Sequence, residues 1–549
     1  MKQTILITVF ILSFNQIFSQ AATRKKYDSA YVQSIQNRID EFAVVELNYD
    51  ISKLPKHEAM ALPGFLIIAQ ITDSVFWKQS YGSRYDLHKS IDNDTINRFV
   101  DINYGPWERL NNNKPFVKGF GEKPKGARFY PSDITKAEFE SFVDSTKNSP
   151  YTVIKRGADK KLVSVPYSEE YGYYLSGIND NLRRIATMMV KFDSAFGKYL
   201  YYRGEALMNN DYNYSDKLWL ESQDNVLDII VGPIESYEDQ FGGIKTSFET
   251  YIVAKDVEWS KKLQKYVALL PTLQKGLPVS KKYQTPLPGL KSQIGAYDVL
   301  MYAGDCNSGS KTIAVNLPND EQVQAEYGTR RLQFKNVMKA KFDSILMPIV
   351  DVLIDEKQRK YVSFDAFFAN TMFHEVAHGL GIKNTITDDK PVSLALGEYH
   401  AALEEGKADV LGLYMITELL TSKDITEGTI ENYYTTFVAS IFRSIRFGAA
   451  SAHGKANMVR FNFFMQEGAI KKNNNGTYTI DYDKMKVAVY KLSAIILEIQ
   501  GDGDKAKAEN ILNKQGIISS DLQADLDNLK KLSIPVDVIF NQGSRQLGL

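Results

Sequence analysis

A change in hydrophobic pattern near Gln333 constrains the fold of this chain more than any other feature. From that point onward, apolar residues recur at spacings of three and four, which is the period of a helix with one buried face. The pattern predicts helices at residues 334–353, 364–377, 394–420, 433–447, 456–467 and 485–499. The later part of the chain should therefore be almost entirely helical.

Before Gln333 the sequence mixes helical and strand patterns. Residues 62–77 have helical spacing, whereas the β-branched and aromatic runs 249–254 and 311–317 are typical of strands. A helix is predicted between these strands, at residues 259–270. We therefore expect an α+β fold with two lobes. The expected divisions are a mixed lobe with a β core mainly in 22–332, a mainly helical lobe mainly in 333–500, and a helical C-terminal segment at 501–549.

Composition excludes several classes of partner and site. The chain has 549 residues, with 66 Lys and Arg against 66 Asp and Glu, so no net field attracts nucleic acid. Cys306 is the single cysteine, which forbids an internal disulfide and a cysteine-rich zinc site. Partner choice must therefore depend on local sites, and no nucleic-acid partner is expected.

The amino terminus has the pattern of an export signal. A short positive start at Lys2 is followed by the apolar run 4–14 and by the small-x-small sequence Ser19-Gln20-Ala21. The alternative is a membrane anchor, but the run is shorter than the roughly 20 apolar residues that a spanning helix needs. We expect residues 1–21 to be a signal peptide, the mature protein to be periplasmic or secreted, and no membrane partner to remain after signal removal.

The strongest chemical signal is His374-Glu375-Val376-Ala377-His378, within a predicted helix. A spacing of four places both imidazoles on one helix face, where two neutral nitrogens bind one Zn²⁺ at about 2.0–2.1 Å. Glu375 follows the first ligand directly and is placed to act as general base on zinc-bound water. The alternative is an ordinary helix with two hydrogen-bonded histidines and a solvated glutamate.

A second predicted helix, which begins at Leu403, 25 residues after His378, supplies Glu404 and Glu405 as candidate third ligands. Glu405 is spaced by four from Asp409, so one carboxylate could bind zinc while the other accepts a hydrogen bond from a ligand imidazole. Glu404 has the same spacing from His400, so spacing alone leaves the choice of glutamate open. A solvated charged face is the alternative, but it does not explain the apolar residues around the pair.

These two blocks, residues 374–379 and 404–414, resemble the dipeptidyl peptidase III family of zinc exopeptidases. In that family the second glutamate of the pair binds zinc, which implies Glu405 as ligand and Glu404, with Asp409, in supporting contacts to the histidines. The best-known members carry one more residue before the second histidine. This chain has the five-residue form, which is similar to members fused to nudix domains in plants.

Further blocks resemble the family's substrate-binding segments. Residues 232–242 are similar to the segment whose glutamate meets the substrate amino terminus, here Glu235. Residues 316–319 resemble its paired-asparagine motif for the same group, here Asn316 and Asn319.

Two more residues are implied at the reacting carbonyl. The tyrosine of the 232–242 block, Tyr237, corresponds to one that hydrogen-bonds near the scissile carbonyl, and His453 corresponds to a histidine that steadies the tetrahedral intermediate. This sequence departs from the family at Asn457, where an arginine is expected, and only Arg460 follows. Preferences for peptide length and side chain are therefore not carried over.

The predicted function is release of dipeptides from the amino terminus of short peptides by an enzyme with one Zn²⁺ per chain, in a cleft between the lobes. One alternative is a zinc endopeptidase or another amide hydrolase, which would not depend on a free amino terminus. Another alternative is a peptide-binding protein with a vestigial site, although such a protein has no use for Glu375 beside the metal.

Overall fold

The computed structural model describes residues 25–284 and 293–549, and the predicted signal peptide lies outside them. The strands are β1 Phe42–Glu46, β2 Trp107–Glu108, β3 Lys114–Pro115, β4 Thr152–Arg156, β5 Leu162–Pro166, β6 Leu227–Glu235, β7 Ser247–Asp256, β8 Gln293–Gly304, β9 Ala314–Leu317, β10 Arg330–Phe334, β11 Ile470–Lys472, β12 Tyr478–Ile480 and β13 Asp537–Asn541.

The helices before the pattern change are α1 Ser29–Asp40, α2 Lys56–Ala59, α3 Leu62–Ser80, α4 Arg84–Lys89, α5 Asp94–Asn103, α6 Lys136–Ser141, α7 Tyr167–Glu170, α8 Gly172–Met189, α9 Ser194–Asn209, α10 Asn213–Glu221, α11 Val257–Ala268, α12 Leu270–Lys275 and α13 Glu321–Tyr327. Those after it are α14 Lys335–Lys341, α15 Met347–Leu353, α16 Glu356–Arg359, α17 Phe364–Ala377, α18 Val392–Leu396, α19 His400–Thr421, α20 Ile430–Ile445, α21 Ala452–Gln466, α22 Tyr482–Asp502, α23 Lys505–Gln515 and α24 Ser520–Lys530.

A five-stranded sheet forms the centre of the mixed lobe, in the order β6-β7-β8-β10-β9. The strands β6, β7 and β8 pair antiparallel, β10 runs parallel to β8, and β9 returns antiparallel along β10. Residues 227–233 of β6 and 247–254 of β7 are all buried, and α3 packs against β7 and β8. The sheet is thus a rigid frame that ends in two edge strands, β6 and β9.

Two large hydrophobic cores confirm the predicted α+β fold with two lobes. The first core surrounds the five-stranded sheet and includes α3, α8, α9 and α10. The second core is built by α17, α19, α20, α21 and α22 with their neighbours. The chain therefore separates a mixed lobe from a helical lobe, as the change of hydrophobic period predicts.

The segment Lys56–Ser80 is, by length and composition, the one helical stretch among the described residues that could span a membrane. Its main helix, α3, packs instead against β7, β8 and α8. Phe65, Ile68 and Val75 have no exposed surface and lie in the mixed-lobe core. The apolar character of α3 is therefore explained by its position as a central helix of a folded lobe.

The lobes are less separate along the sequence than the predicted boundaries imply. Helices α11 and α12, at residues 257–275, contribute Leu263 and Leu270 to the helical core although they precede Gln333. The segment 501–549 is helical only as far as α24, and it ends in β13, which pairs in parallel with β1. Val538 of β13 is fully buried in the mixed core, so the chain's last strand returns to the first lobe.

Helix α17 has the predicted bounds, whereas two other predicted helices are interrupted. The predicted helix 394–420 breaks at Gly397, whose φ of +56° is accessible to glycine, and α19 begins at His400. The predicted helix 334–353 passes through a π turn at Phe342–Leu346 just before Pro348, which has no amide hydrogen for the preceding turn. The predicted strand 311–317 begins only at Ala314.

Candidate active site

Helices α17 and α19 cross closely, and this crossing brings the metal motif together. A Cβ atom at Gly412 of α19 would lie only 3.1 Å from the backbone nitrogen of His374, so a side chain there would push the helices apart. The close approach sets one turn of α17 opposite the turn of α19 that carries Glu405 and Asp409. Gly381, with φ of +85°, then turns the chain away after α17.

Three side-chain atoms converge at this crossing. The Nε2 atoms of His374 and His378 are 3.2 Å apart, and Glu405 Oε2 lies 3.3 Å from the first and 3.8 Å from the second. Among the described residues, His374, His378 and Glu405 are the group that could hold a metal ion, with donor atoms within 4.8 Å of one another. Two imidazoles and one carboxylate are the ligand types that zinc takes in catalytic sites.

An unsatisfied atom supports this interpretation. Glu405 Oε2 is buried, and within the described part of the chain its hydrogen bonds, with His374 at 3.3 Å and with His453 at 3.1 Å, have poor geometry. Because the Nδ1 atoms of both rings face carboxylates, both Nε2 atoms would carry lone pairs in neutral histidines, which is unfavourable at a separation of 3.2 Å. A cation between these atoms would satisfy all three donors, so the residues present fit a zinc ion.

The other ring nitrogen of His374 is held by a carboxylate. His374 Nδ1 is 2.7 Å from Asp409 Oδ1, and Arg460 Nη2 is 2.5 Å from the second oxygen of Asp409. Asn457 accepts a hydrogen bond from the same arginine, at 2.7 Å. The contact with Asp409 fixes the tautomer that leaves His374 Nε2 directed at the metal position.

His378 is held in the same way by Glu404, whose Oε1 lies 3.1 Å from Nδ1. Lys407 has no exposed side-chain surface and donates to Glu404 at 2.7 Å and to the carbonyl of Leu380 at 3.0 Å. Gln500 donates to the other oxygen of Glu404 at 3.1 Å. The structure therefore brings Glu405 to the metal position and Glu404 behind a histidine, while the Glu404 and His400 pair does not form a metal group.

The electrostatics of the group favour charged carboxylates. Burial opposes the ionisation of Glu405, but hydrogen bonds from His374 and His453 hold its pKa well below the usual range. Burial likewise opposes the ionisation of Glu404, yet His378 and Lys407 lower its pKa strongly. For His374, the Asp409 carboxylate outweighs burial and raises the pKa to about 10. The carboxylates at and behind the metal position are thus held in their charged form.

Glu375 lies on α17 beside this group, where the strand β10 approaches the helical lobe. Arg331 Nη1 donates to the backbone carbonyl of Glu375 at 2.6 Å and lies 3.5 Å from its carboxylate oxygen Oε2. The Glu375 side chain is a quarter exposed and is therefore accessible to solvent. Its carboxylate is therefore placed beside the metal position without being one of the metal donors.

His453, at the start of α21, completes the group. Its Nδ1 is 3.1 Å from Glu405 Oε2, while 65% of its side chain is exposed. The hydrogen bond with Glu405 raises the pKa of His453. The structure thus places His453 at the edge of the metal position with its ring open to solvent.

The residues implied at the substrate amino terminus form a second group, on the mixed lobe. Glu235 ends β6 and is hydrogen-bonded to Tyr237 and Asn319, and burial raises its pKa. Asn319 Nδ2 also donates to the carbonyl of Ile234 at 3.1 Å. Tyr237 is 76% exposed, and Asn316 is exposed on β9. Glu235, Tyr237 and Asn319 are thus brought together near the ends of the two edge strands, whereas Asn316 is placed by its pairing with β10.

Strand pairing links the two groups. Asn316 of β9 stands opposite Arg331 of β10 in the antiparallel ladder, and Arg331 contacts Glu375. The second group therefore lies across one strand from the residue that meets the metal-bearing helix. Tyr237 makes no described contact with the metal group.

Arg331, Lys407 and Gln500 give no signal in the sequence, because each acts through a partner far along the chain or through burial. Lys407 looks like a solvated charge beside two acids, whereas it is fully buried. Arg460 shows in the sequence only as the arginine that follows the departure at Asn457, although it binds Asp409. A search for charged residues at apolar helix positions would have found Lys407.

Comparisons with known proteins agree with this geometry. The model of peptidase family M49 matches residues 135–394. The chain is similar to the structure of DPP III from Caldithrix abyssi, with 34% identity, a TM-score of 0.88 and coverage of 93% of this chain and 99% of that one. The structure of dipeptidyl-peptidase III from Corallococcus sp. strain EGB gives 36% identity and a TM-score of 0.76, covering 93% and 97%.

A plant relative extends the likeness in sequence. The protein named Nudix hydrolase 3 from Arabidopsis thaliana is 32% identical over 571 residues, which cover 92% of this chain and 73% of the plant protein. The family model covers part of the metal motif, and both solved structures cover nearly the whole of this fold. The chain therefore belongs to peptidase family M49 and is a metallopeptidase of the dipeptidyl-peptidase type.

Proposed function

We propose that this enzyme uses one zinc ion to release dipeptides from the amino terminus of short peptides. The observation that carries the proposal is the link between two groups through Arg331, which pairs with Asn316 in the sheet and contacts Glu375 on α17. His374, His378 and Glu405 offer a metal position, and Glu235 with Asn319 offers a polar receptor on the facing lobe. A peptide bound by its amino terminus at the receptor would present an early peptide bond to the metal group.

The metal is proposed to be zinc because of its ligand types. Two imidazole nitrogens and one carboxylate leave one position open, as in catalytic zinc sites. When bound there, zinc would polarise the substrate carbonyl and lower the pKa of water toward about 7. Asp409 and Glu404 hold the two histidines in the orientation that binding requires.

Glu375 is the proposed general base. Its carboxylate would accept a proton from the attacking water and return it to the leaving amine. A group beside the metal position is expected to reach both the water and the amine. Arg331 restrains the helix end that carries Glu375 through the carbonyl contact at 2.6 Å. The base therefore stays directed at the cleft.

Two further side chains are proposed to act on the developing oxyanion. His453 stands at the metal position with its ring exposed, and its raised pKa favours the protonated, donating form. Tyr237 is exposed on the facing lobe and carries a phenol that donates to oxygen. Removal of one such donor costs about 2.7–4 kcal/mol in other enzymes.

The proposed receptor for the substrate amino terminus depends on the charge of the Glu235 carboxylate. Burial raises the pKa of Glu235, because its negative charge is poorly solvated. A substrate ammonium group would supply the missing positive charge, and the amides of Asn316 and Asn319 offer carbonyl oxygens as further acceptors. The proposed partners are thus short peptides with a free amino terminus.

Metal analysis and product mapping test the proposal together. We expect about one zinc per chain, loss of activity on chelation, and recovery on adding zinc. Mass spectrometry of a digested unblocked hexapeptide should find its first dipeptide and the remaining tetrapeptide as the first products. Fragments cut only from the middle of longer peptides would favour the endopeptidase alternative, and binding without cleavage would favour the vestigial site.

Export is a separate proposal. Residues 1–21 are proposed to be removed as a signal peptide, which would leave a periplasmic or secreted enzyme. Amino-terminal sequencing of the protein made in a bacterial host tests this proposal, with a mature chain that begins near Ala22 expected. A chain in the cytosolic fraction that retains Met1 or Lys2 would contradict it.

A further inference from the structure

The loop that joins β6 to β7, residues 236–246 (the Tyr237 loop), places two charged residues inside the mixed lobe and a tyrosine outside it. Glu238 and Asp239 are only 3% and 2% exposed, whereas Tyr237 is 76% exposed. Charged loop residues ordinarily lie in water, and a buried carboxylate is tolerated only where it is paired. Two buried carboxylates beside one exposed ring therefore indicate that the loop is anchored to the lobe beneath it.

Glu238 ties the Tyr237 loop to two other parts of the chain. Its Oε2 accepts a hydrogen bond from Arg109 Nη1 at 2.6 Å, and its Oε1 lies 2.7 Å from Lys123 Nζ. The side chains of Arg109 and Lys123 are also largely buried. Burial opposes the ionisation of Glu238, but the two cations outweigh it and lower the pKa of Glu238 to about 2. The three side chains thus form one buried group of paired charges.

Arg109 is held firmly at the other end of this contact. Its Nε donates to the carbonyl of Asn103 at 2.7 Å, and its backbone amide donates to the Asn103 side chain at 2.9 Å. Its guanidinium also lies over the ring of Phe76, 5.4 Å from the centroid. Asn103 ends α5 and Phe76 belongs to α3, so Glu238 connects the Tyr237 loop to two helices of the mixed lobe.

Asp239 has a different role, because most of its contacts lie within the loop. Its carboxylate accepts hydrogen bonds from the backbone amides of residues 241, 242, 244 and 245 at 2.9–3.1 Å. It also accepts one from the Tyr130 hydroxyl at 2.8 Å. Asp239 therefore shapes the Tyr237 loop, whereas Glu238 fixes the shaped loop to the rest of the lobe.

Tyr237 depends on this attachment for its position. Most of its ring is exposed, so packing does not fix the ring, and its hydroxyl is hydrogen-bonded to Glu235. Glu235 is held by the sheet itself, since it pairs with Ser247 of β7. A shift of the loop would therefore move Tyr237 but not Glu235. Misplacement of a catalytic group by about 1 Å can reduce turnover about 10²-fold.

We propose that Glu238, held by Arg109 and Lys123, is a positioning residue that keeps the Tyr237 hydroxyl in the place from which it acts on the developing oxyanion. The inference rests on the proposed function, because it concerns the step in which Tyr237 is proposed to stabilise that oxyanion. Glu238, Arg109 and Lys123 would act on the reaction through Tyr237 and not through contact with the substrate.

A double-mutant cycle tests whether Glu238 acts through Tyr237. In the zinc-loaded enzyme with an unblocked tetrapeptide, Glu238→Gln should lower kcat by about ten- to a hundredfold and change KM by less than about twofold, because Glu235 stays in its strand. In the Tyr237→Phe background the same change should lower kcat by less than about twofold, because the hydroxyl that it positions is already absent. Glu108→Gln, which removes the neighbouring contact with Arg38, is the matched control and should leave kcat of each background unchanged.

Hydrogen exchange followed by mass spectrometry covers the same point without turnover. Glu238→Gln should speed the exchange of the backbone amides of residues 239–245 by about tenfold, the effect of losing one hydrogen bond, while zinc content stays at the wild-type value. Glu108→Gln should leave the exchange of the Tyr237 loop unchanged. Arg109→Lys, which keeps the charge that faces Glu238, should change exchange and kcat less than Arg109→Met does.

Equal losses of kcat from Glu238→Gln in the wild-type and Tyr237→Phe backgrounds would overturn the positioning role while dipeptide release stands. Wild-type kcat and loop exchange in Glu238→Gln would overturn it as well. If Glu238→Gln does not fold, Lys123→Met takes its place in the cycle, with the same two outcomes. Unchanged kcat in Tyr237→Phe alone would overturn the role of Tyr237 and this inference with it. Absence of any dipeptide release would overturn the proposed function and, with it, this inference.

Discussion

The metal group and the amino-terminus group are built in different ways. The metal group lies on two helices that cross at Gly412, and each histidine is backed by a partly buried carboxylate with its own cation. The amino-terminus group lies at the ends of β6 and β9, where Tyr237 and Asn316 are exposed. One group is thus fixed by packing, and the other is fixed by a few polar contacts at a sheet edge.

This difference predicts how substitutions in each group should affect the enzyme. A metal position needs several donors held to a few tenths of an ångström, which helices with supporting hydrogen bonds provide. A receptor for a flexible peptide end needs charge and reach more than rigidity. Substitutions in the metal group should therefore abolish chemistry, whereas those in the receptor should act through substrate affinity and identity.

The largest effect is expected for His378→Ala, which removes one metal donor and the partner of Glu404. Zinc content should fall to near zero, and activity should be lost with it, because two donors bind the ion far more weakly than three. Elemental analysis after dialysis measures the metal. His400→Ala, on α19 outside the metal group, should keep both, and tightly bound stoichiometric zinc in His378→Ala would refute the ligand assignment.

Glu375→Gln should separate metal binding from chemistry. The amide keeps the shape of the side chain but cannot accept the proton, so turnover should fall by about 10²–10⁴ while zinc is retained. Parallel zinc analysis and steady-state kinetics measure the two properties. Turnover near that of the wild type would remove Glu375 from the proposed role.

Glu235→Gln should weaken binding of unblocked peptides by about a hundredfold in kcat/KM, mainly through KM, because a charge-assisted hydrogen bond is lost. Zinc content should not change. The raised pKa of Glu235 adds a second readout. As pH falls through that pKa, Glu235 becomes neutral, so wild-type KM should rise on the acid side. The variant should lack this rise, and a similar acid rise in Glu235→Gln would contradict the assignment.

Asp409→Asn should give the smallest of these effects. The amide keeps most of the packing around Arg460, but it no longer fixes the His374 tautomer, so zinc affinity should fall by about ten- to a hundredfold. Competition with a chromogenic chelator measures this affinity. Glu418→Gln, farther along α19, is the control and should bind zinc like the wild type, and equal affinities in the two variants would show that Asp409 does not support His374.

Sequence patterns predict the helical half well because the bounds of a helix depend on the spacing of residues that are close together in the chain. The bounds of α17 follow from apolar spacing and from Ser363, whose side chain caps the helix. The identity of the metal motif follows from spacing on that helix. The choice between Glu404 and Glu405 does not, because it depends on how α19 is rotated against α17, and only the family resemblance indicated it.

Other features depend on contacts between distant parts of the chain. The pairing of β1 with β13 joins residues 42–46 with 537–541, and no local pattern encodes that register. Arg331 reaches Glu375 only because β10 is placed against the helical lobe by the whole sheet.

The most direct test of the account is a comparison of one peptide with a free and an acetylated amino terminus. Acetylation removes the charge that Glu235 is proposed to meet and leaves a carboxylate and two amides without their partner, so kcat/KM for dipeptide release should fall by more than about a hundredfold. The zinc-loaded wild-type enzyme should release dipeptides from the free peptide and hardly cleave the blocked one. Equal rates on both peptides would contradict the claim that the two groups act on one substrate.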